Sequence, residues 1–205
     1  MYIAPPKLEP TKIYAGAIAE YENVWTNCSE IIKNITANTE SEDSFIEFLP
    51  APTVSADQNQ KRTNSYLRVD EAGHKNEFFR QLNNEFYLAI MSASQSYNTI
   101  FDIDETYHVE SYQLLKYQTG EEYKAHYDGT TETRRSVSPI LYLNDNYEGG
   151  ELEFVHFDLK IKPKAGSLYL FPANYAYAHI AHPVVDGTKY ALVTWLHDYV
   201  TYNNG

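Results

Sequence analysis

The chain has 205 residues, enough for one domain with a sizeable core, and its 43% hydrophobic and 21% charged residues are a globular rather than a disordered balance. Acidic residues outnumber basic ones by 28 to 16, a formal charge of −12, whereas a nucleic-acid partner asks for a basic face. The single cysteine, Cys28, cannot form an intrachain disulfide, so the fold does not depend on an oxidising compartment. No run of about 18 apolar residues is present to span a membrane. The opening MYIAPPKLEP lacks the basic and apolar regions of a signal peptide, and the expectation is a soluble, cytoplasmic protein. Nineteen tyrosines suit strands and pocket linings, where an apolar ring carries a polar tip.

In chain order, Ile18, Tyr21, Trp25, Cys28, Ile32 and Ile35 recur at steps of three and four and predict one amphipathic helix. A short apolar run at Phe45–Leu49 follows, then Pro50, Pro52 and a polar stretch through Asn64 that reads as a loop. Phe79, Leu82, Phe86, Ile90, Ala93 and Tyr97 predict a second helix over about 75–98. From about 108 the texture changes to short β-like segments at 109–118, 122–128, 136–144, 150–157, 158–163, 167–171, 176–181 and 188–198. Turn signals such as Gly149-Gly150 and Asp186-Gly187 separate them. Eight short strands after a helical region predict an α+β fold, a jelly roll with helices on one sheet's outer face. The division expected is a helical support region at 1–107, a core at 108–198 and a tail at 199–205.

The densest chemistry lies between Tyr117 and Asp128. In a strand, residues i and i+2 face one side, so His126 and Asp128 can point together. With one more histidine they make the two-histidine, one-carboxylate triad that suits non-haem Fe(II). Taken alone, the pair also fits a surface strand with two polar residues turned outward. Two histidines compete for the third place, His179 in a β-like run and His182 just before Pro183. A ligand must be held rigidly, which favours His179. Lys189 follows across the Asp186-Gly187 turn, flanked by Tyr190, Ala191, Leu192 and Val193, which suits a buried ion-pair partner better than a solvated lysine.

Together these segments resemble the iron(II)/2-oxoglutarate dioxygenases of the prolyl 4-hydroxylase type. The family pattern appears in order: Tyr-x-x-Gly-x-x-Tyr-x-x-His-x-Asp at Tyr117 to Asp128, Arg134-Arg135 leading to Tyr142-Leu143-Asn144, Gly149-Gly150-Glu151, Pro163-x-x-Gly166 and His179-x-x-x-Pro-Val-x-x-Gly-x-Lys189. Trp195-Leu196-His197 also resembles the collagen-type enzymes. The likeness covers roughly 108–198. It implies that His126, Asp128 and His179 bind Fe(II), that Lys189 receives the distal carboxylate of 2-oxoglutarate, and that Tyr117 and Tyr142 line the cosubstrate pocket. It further implies O2 as cosubstrate, ascorbate as an accessory, succinate and CO2 as products, and a prolyl residue of a peptide or protein as substrate. Ala125 and Leu152 depart from the family's usual proline and threonine. The 53–66 loop and the Asp102–Tyr107 segment are expected to form a lid. A hydroxylase of a free amino acid or small metabolite, and a non-catalytic jelly-roll binding module, are the alternatives. A halogenase is disfavoured because Asp128 is present.

Overall fold

The structure is a computed structural model that describes residues 8–41, 44–51, 62–130 and 133–198. It is mostly β-sheet. Among the described residues one antiparallel sheet holds ten strands. Its main path runs Lys12–Tyr14, Ile18–Tyr21, Leu168–Pro172, Arg135–Tyr142, Lys189–Val193, Gln113–Tyr117, Ser65–Arg68 and Leu49–Pro50. Leu196–Asp198 joins this sheet to Tyr107–Val109. A second sheet orders Leu159–Ile161, Leu152–Phe154, His179–Ala181 and Tyr123–His126, and Val184–Asp186 pairs separately with Glu148–Gly149.

Strand alternation divides the large sheet into two unlike faces. Leu114, Leu141, Leu168, Leu170 and Leu192 turn outward onto the helices, where Ile31, Ile35, Phe79, Phe86 and Ile90 meet them in the larger core. Tyr142, Tyr169, Phe171 and Ala191 turn inward against Leu152, Phe154 and Ile161 of the smaller sheet. Both faces are covered, so these strands read as nearly continuous apolar runs. Among the described residues three α-helices lie before the main run of strands: α1 (Cys28–Thr39), α2 (Val69–Gly73) and α3 (Glu77–Phe101). Asn76 caps α3 by accepting hydrogen bonds from the Phe78 and Phe79 N–H groups at 2.9 and 3.4 Å. Its Nδ2 also donates to Asn38 Oδ1 at 2.8 Å, tying α3 to the end of α1. No helix among the described residues is long and apolar enough to cross a membrane.

Several expectations need correction. The single helix spanning Ile18 to Ile35 is two elements: Ile18–Tyr21 is a fully buried strand, and the helix starts only at Cys28. The turn Ala15-Gly16, both at positive φ, folds Lys12–Tyr14 back onto that strand, so the N-terminal region contributes strands as well as helices. The segment 176–181 opens as a 3-10 turn at Tyr175–Tyr177 before becoming a strand at His179. The strand expected over 188–198 breaks at Thr194 and Trp195. The expected lid also divides. Residues 53–61 lie outside the described residues, whereas Arg62 is buried and bridges to Tyr123, and Ser65–Arg68 is a strand of the large sheet. Asp102–Tyr107 is held down: Ile103 N–H bonds to Asn98 O, Asn98 Nδ2 donates to Glu105 O at 2.8 Å, and Tyr107 Oη donates to Asn98 Oδ1 at 2.9 Å. Those bonds fasten the segment to the end of α3.

Candidate active site

His126 ends the strand Tyr123–His126 and stands directly across from His179, the first residue of His179–Ala181. Asp128 lies beyond the strand end, not within it as the alternation argument assumed. Its backbone N–H and that of Gly129 both donate to Ala173 O, at 3.1 and 2.7 Å, which holds the chain in place after pairing stops. Gly129 makes this approach possible, because a Cβ there would stand 2.4 Å from Arg135 O. The outcome is the convergence expected from the sequence. Asp128 Oδ1 lies 3.7 Å from His126 Nε2, and Asp128 Oδ2 lies 3.8 Å from His179 Nε2.

The surroundings fix which atoms face inward. His126 Nδ1 bonds to Lys124 O at 2.8 Å and His179 Nδ1 to Tyr177 O at 3.1 Å. A carbonyl only accepts, so each Nδ1 carries a proton, and Nε2 is the ring nitrogen that each histidine turns towards Asp128. Burial, together with the neighbouring His179, holds the His126 imidazole well below its ordinary pKa and therefore neutral. Burial pushes the Asp128 carboxyl up, but the two histidines and the Ser138 hydroxyl outweigh it and keep it ionised. Two imidazoles and one carboxylate, with all three donor atoms within 4.8 Å of one another, match the donor set of a non-haem Fe(II) site. His182 is not part of this group. Its Nε2 meets Glu153 Oε2 at 2.6 Å, and Lys160 joins the same carboxylate at 3.2 Å.

Lys189 sits in the floor of the same cavity, of about 730 Å³, that His126, Asp128 and His179 line. It is 1% exposed and pairs in register with Tyr117. Its Nζ donates to Gly150 O at 2.8 Å and lies 4.9 Å from the Tyr117 ring centroid and 5.5 Å from that of Tyr142. No carboxylate among the described residues stands within ion-pair distance of it. Burial, with a smaller contribution from Lys162, lowers its pKa to about 7. A dry ammonium ringed by phenols fits an anionic ligand group. Gly150 is required here: its φ is +65°, and a Cβ would come within 2.8 Å of the Tyr147 ring and 3.2 Å of Lys189 Cδ.

Several residues of the site went unread in the sequence. Ser138 Oγ donates to Asp128 Oδ2 at 2.6 Å. The Tyr123 ring stacks on His126 with centroids 3.4 Å apart, and the Arg62 guanidinium lies 5.0 Å over the other ring of that stack, Tyr123. Arg135, quoted only as part of an arginine-bearing strand, makes two bonds to Glu110 at 2.8 and 2.6 Å and covers the Trp195 ring at 3.6 Å. His197 Nε2 closes on the same Glu110 at 2.8 Å. Tyr123 and His197 fall within the quoted motifs but without a role, whereas Arg62, Ser138 and the Arg135–Glu110 pair act between segments distant in the chain, which no local pattern marks.

Residues 112–197 match the 2OG-Fe(II) oxygenase superfamily. Over that segment the chain is similar to 2OG-Fe(II) oxygenases of the prolyl hydroxylase type. It is 31% identical over 120 residues to "Probable prolyl 4-hydroxylase 9" of Arabidopsis thaliana, covering 44% of this chain and 42% of that protein. The chain spans about half the length of the curated relatives it matches. Its fold resembles the crystal structure of a Pseudomonas putida prolyl-4-hydroxylase, with a TM-score of 0.64 and 19% identity over 88% of this chain and 92% of that one. It also resembles a Trichoplax adhaerens prolyl hydroxylase in complex with a hypoxia inducible factor oxygen degradation domain peptide fragment. That comparison gives a TM-score of 0.63 and 17% identity, covering 90% and 84% of the two chains.

The hydroxyl of Ser138 should matter through Asp128. Ser138→Ala leaves Asp128 Oδ2 without its donor, and loss of such a supporting partner typically costs about 10- to 100-fold in metal affinity or activity. Titration with Mn(II) should show that loss with the thermal midpoint little changed, and unaltered metal affinity would refute it.

Proposed function

We propose that this protein is an Fe(II)- and 2-oxoglutarate-dependent dioxygenase that hydroxylates a prolyl residue within a peptide or protein. The observation that carries the reading is the convergence of His126, Asp128 and His179 in one cavity with the buried, unpaired Lys189. The two-sheet architecture is read as a double-stranded β-helix, with 1–107 as its support, 108–198 as the catalytic core and 199–205 as a tail.

The three ligand residues would hold Fe(II), which with 2-oxoglutarate and O2 supplies the chemistry that yields succinate, CO2 and a hydroxylated carbon. The chain's own groups do the rest. His126 and His179 turn Nε2 towards Asp128 with each ring fixed through Nδ1 by a backbone carbonyl, so both are oriented before metal binds. Lys189 would anchor the distal carboxylate of 2-oxoglutarate by a charge-assisted hydrogen bond, with Tyr117 and Tyr142 shaping the walls around it. This leaves the metal-facing end of the cavity for substrate. There Tyr127, 48% exposed, offers a face on which a proline ring can pack. The peptide captured by the Trichoplax adhaerens enzyme supports an extended chain over a polypeptide-free small molecule.

The test is hydroxylation of synthetic proline-containing peptides with Fe(II), 2-oxoglutarate and ascorbate, the accessory implied by the same resemblance. A mass gain of about 16 Da localised to proline supports the proposal. Succinate release driven by free proline, with no turnover on a broad peptide panel, would move the substrate to a small amino acid.

A further inference from the structure

Lys189 is ringed by three phenols, and the reading above uses two. The third, Tyr147, immediately precedes the strand Glu148–Gly149. Its ring is clamped between Lys162, whose Nζ lies 3.7 Å from the centroid, and Gly150, the residue whose carbonyl accepts from Lys189. Lys189 Nζ itself is 6.0 Å from that centroid. Tyr147 packs in one cluster with Tyr117, and burial first, with the Tyr147 phenol second, pushes the Tyr142 hydroxyl upward in pKa. Tyr147 is 6% exposed, yet its Oη has no hydrogen-bond partner. A buried hydroxyl without a partner is costly, and one beside a buried cation calls for an explanation such as a bound ligand.

We propose that Tyr147, although outside the lining of the open cavity, reaches the cosubstrate: its buried, unpartnered Oη donates a hydrogen bond to the distal carboxylate of 2-oxoglutarate anchored by Lys189. This rests on the reading of Lys189 given above. Lys162 already spends its ammonium on Tyr147 O and Gly149 O, at 2.8 and 2.5 Å. It therefore sets the ring's position rather than competing for the anion. Tyr147 would thus help select a diacid over a monoacid of the same length.

The experiment is anaerobic calorimetric titration of the Mn(II)-loaded protein with 2-oxoglutarate and with 2-oxopentanoate, which keeps the chain length but lacks the distal carboxylate. Wild type, Tyr147→Phe and Lys189→Ala are compared. Tyr147→Phe should weaken 2-oxoglutarate about tenfold, the usual scale for a hydrogen bond to a charged group, and leave 2-oxopentanoate unchanged. Its metal-free thermal midpoint should be no lower than wild type, because an unpaired buried hydroxyl has been removed. Equal weakening of both ligands, unchanged 2-oxoglutarate affinity, or a lowered midpoint would each overturn the role of Tyr147. If Lys189→Ala also binds 2-oxoglutarate normally, the anchor itself is misassigned, which is a separate failure.

Discussion

His179→Ala should abolish turnover and metal binding, while His182→Ala should keep both near wild type. Only three residues apart, the two imidazoles have different surroundings. His179 is 4% exposed, its Nδ1 is committed to Tyr177 O, and its Nε2 faces Asp128. His182 Nε2 is already engaged by Glu153 at the rim. Losing one of only three protein donors should exceed the roughly 10- to 100-fold effect of losing a supporting partner. Anaerobic Fe(II) titration and succinate release would check both variants, and the opposite ranking would sink the ligand assignment.

Lys189→Ala should raise the 2-oxoglutarate constant several hundredfold while metal affinity holds. Removing one partner of a buried, hydrogen-bonded charge pair costs about 3–5 kcal/mol. Lys189→Arg should recover little, because a planar guanidinium does not fit a pocket shaped by Gly150 and three phenol rings around a point charge. The same residue makes binding pH-dependent. With its pKa lowered to about 7, the ligand-free lysine loses its proton as pH rises through that value, so 2-oxoglutarate affinity should fall above it. The limiting slope is about tenfold per pH unit. Ligand-free stability moves oppositely. The unfolded chain, with lysine near its usual ~10.4, binds more protons than the folded one between about 7 and 10, so stability rises across that window. Calorimetry at several pH values checks the first trend and denaturant titration the second. An affinity flat from pH 6.5 to 8.5, on the order of the window set by that pKa, would show that Lys189 stays charged throughout.

What was legible in the sequence follows the range of the interaction involved. The helix through Phe79, Phe86 and Tyr97 announces itself because its apolar stripe is local and long. Ile18–Tyr21 misleads because its four residues, followed by a turn and then α1, happen to continue a three-and-four spacing. Burial on both faces had erased the alternation that marks a strand. His126, His179 and Lys189 are recoverable because the spacing of whole segments, not the single residues, carries them. Ser138 is not, since nothing near it in the chain foretells that its hydroxyl meets Asp128 ten residues earlier across a sheet. The orphan phenol of Tyr147 is likewise a property of packing alone.

The unlike faces of the large sheet bear on how such a protein can change. Its leucine-rich outer face and the helices against it form a continuous core remote from the cavity. Cohesion and chemistry therefore occupy opposite sides of one partition only a strand thick. Substitutions at the mouth, around Tyr127 or Trp195, alter what can enter without loosening the leucine layer behind them. Effects of mutations far apart with no shared partners add almost independently. A lineage with this architecture can therefore try new substrates while drawing on an undiminished reserve of stability, which makes the fold an evolvable host for one kind of oxidation on many targets.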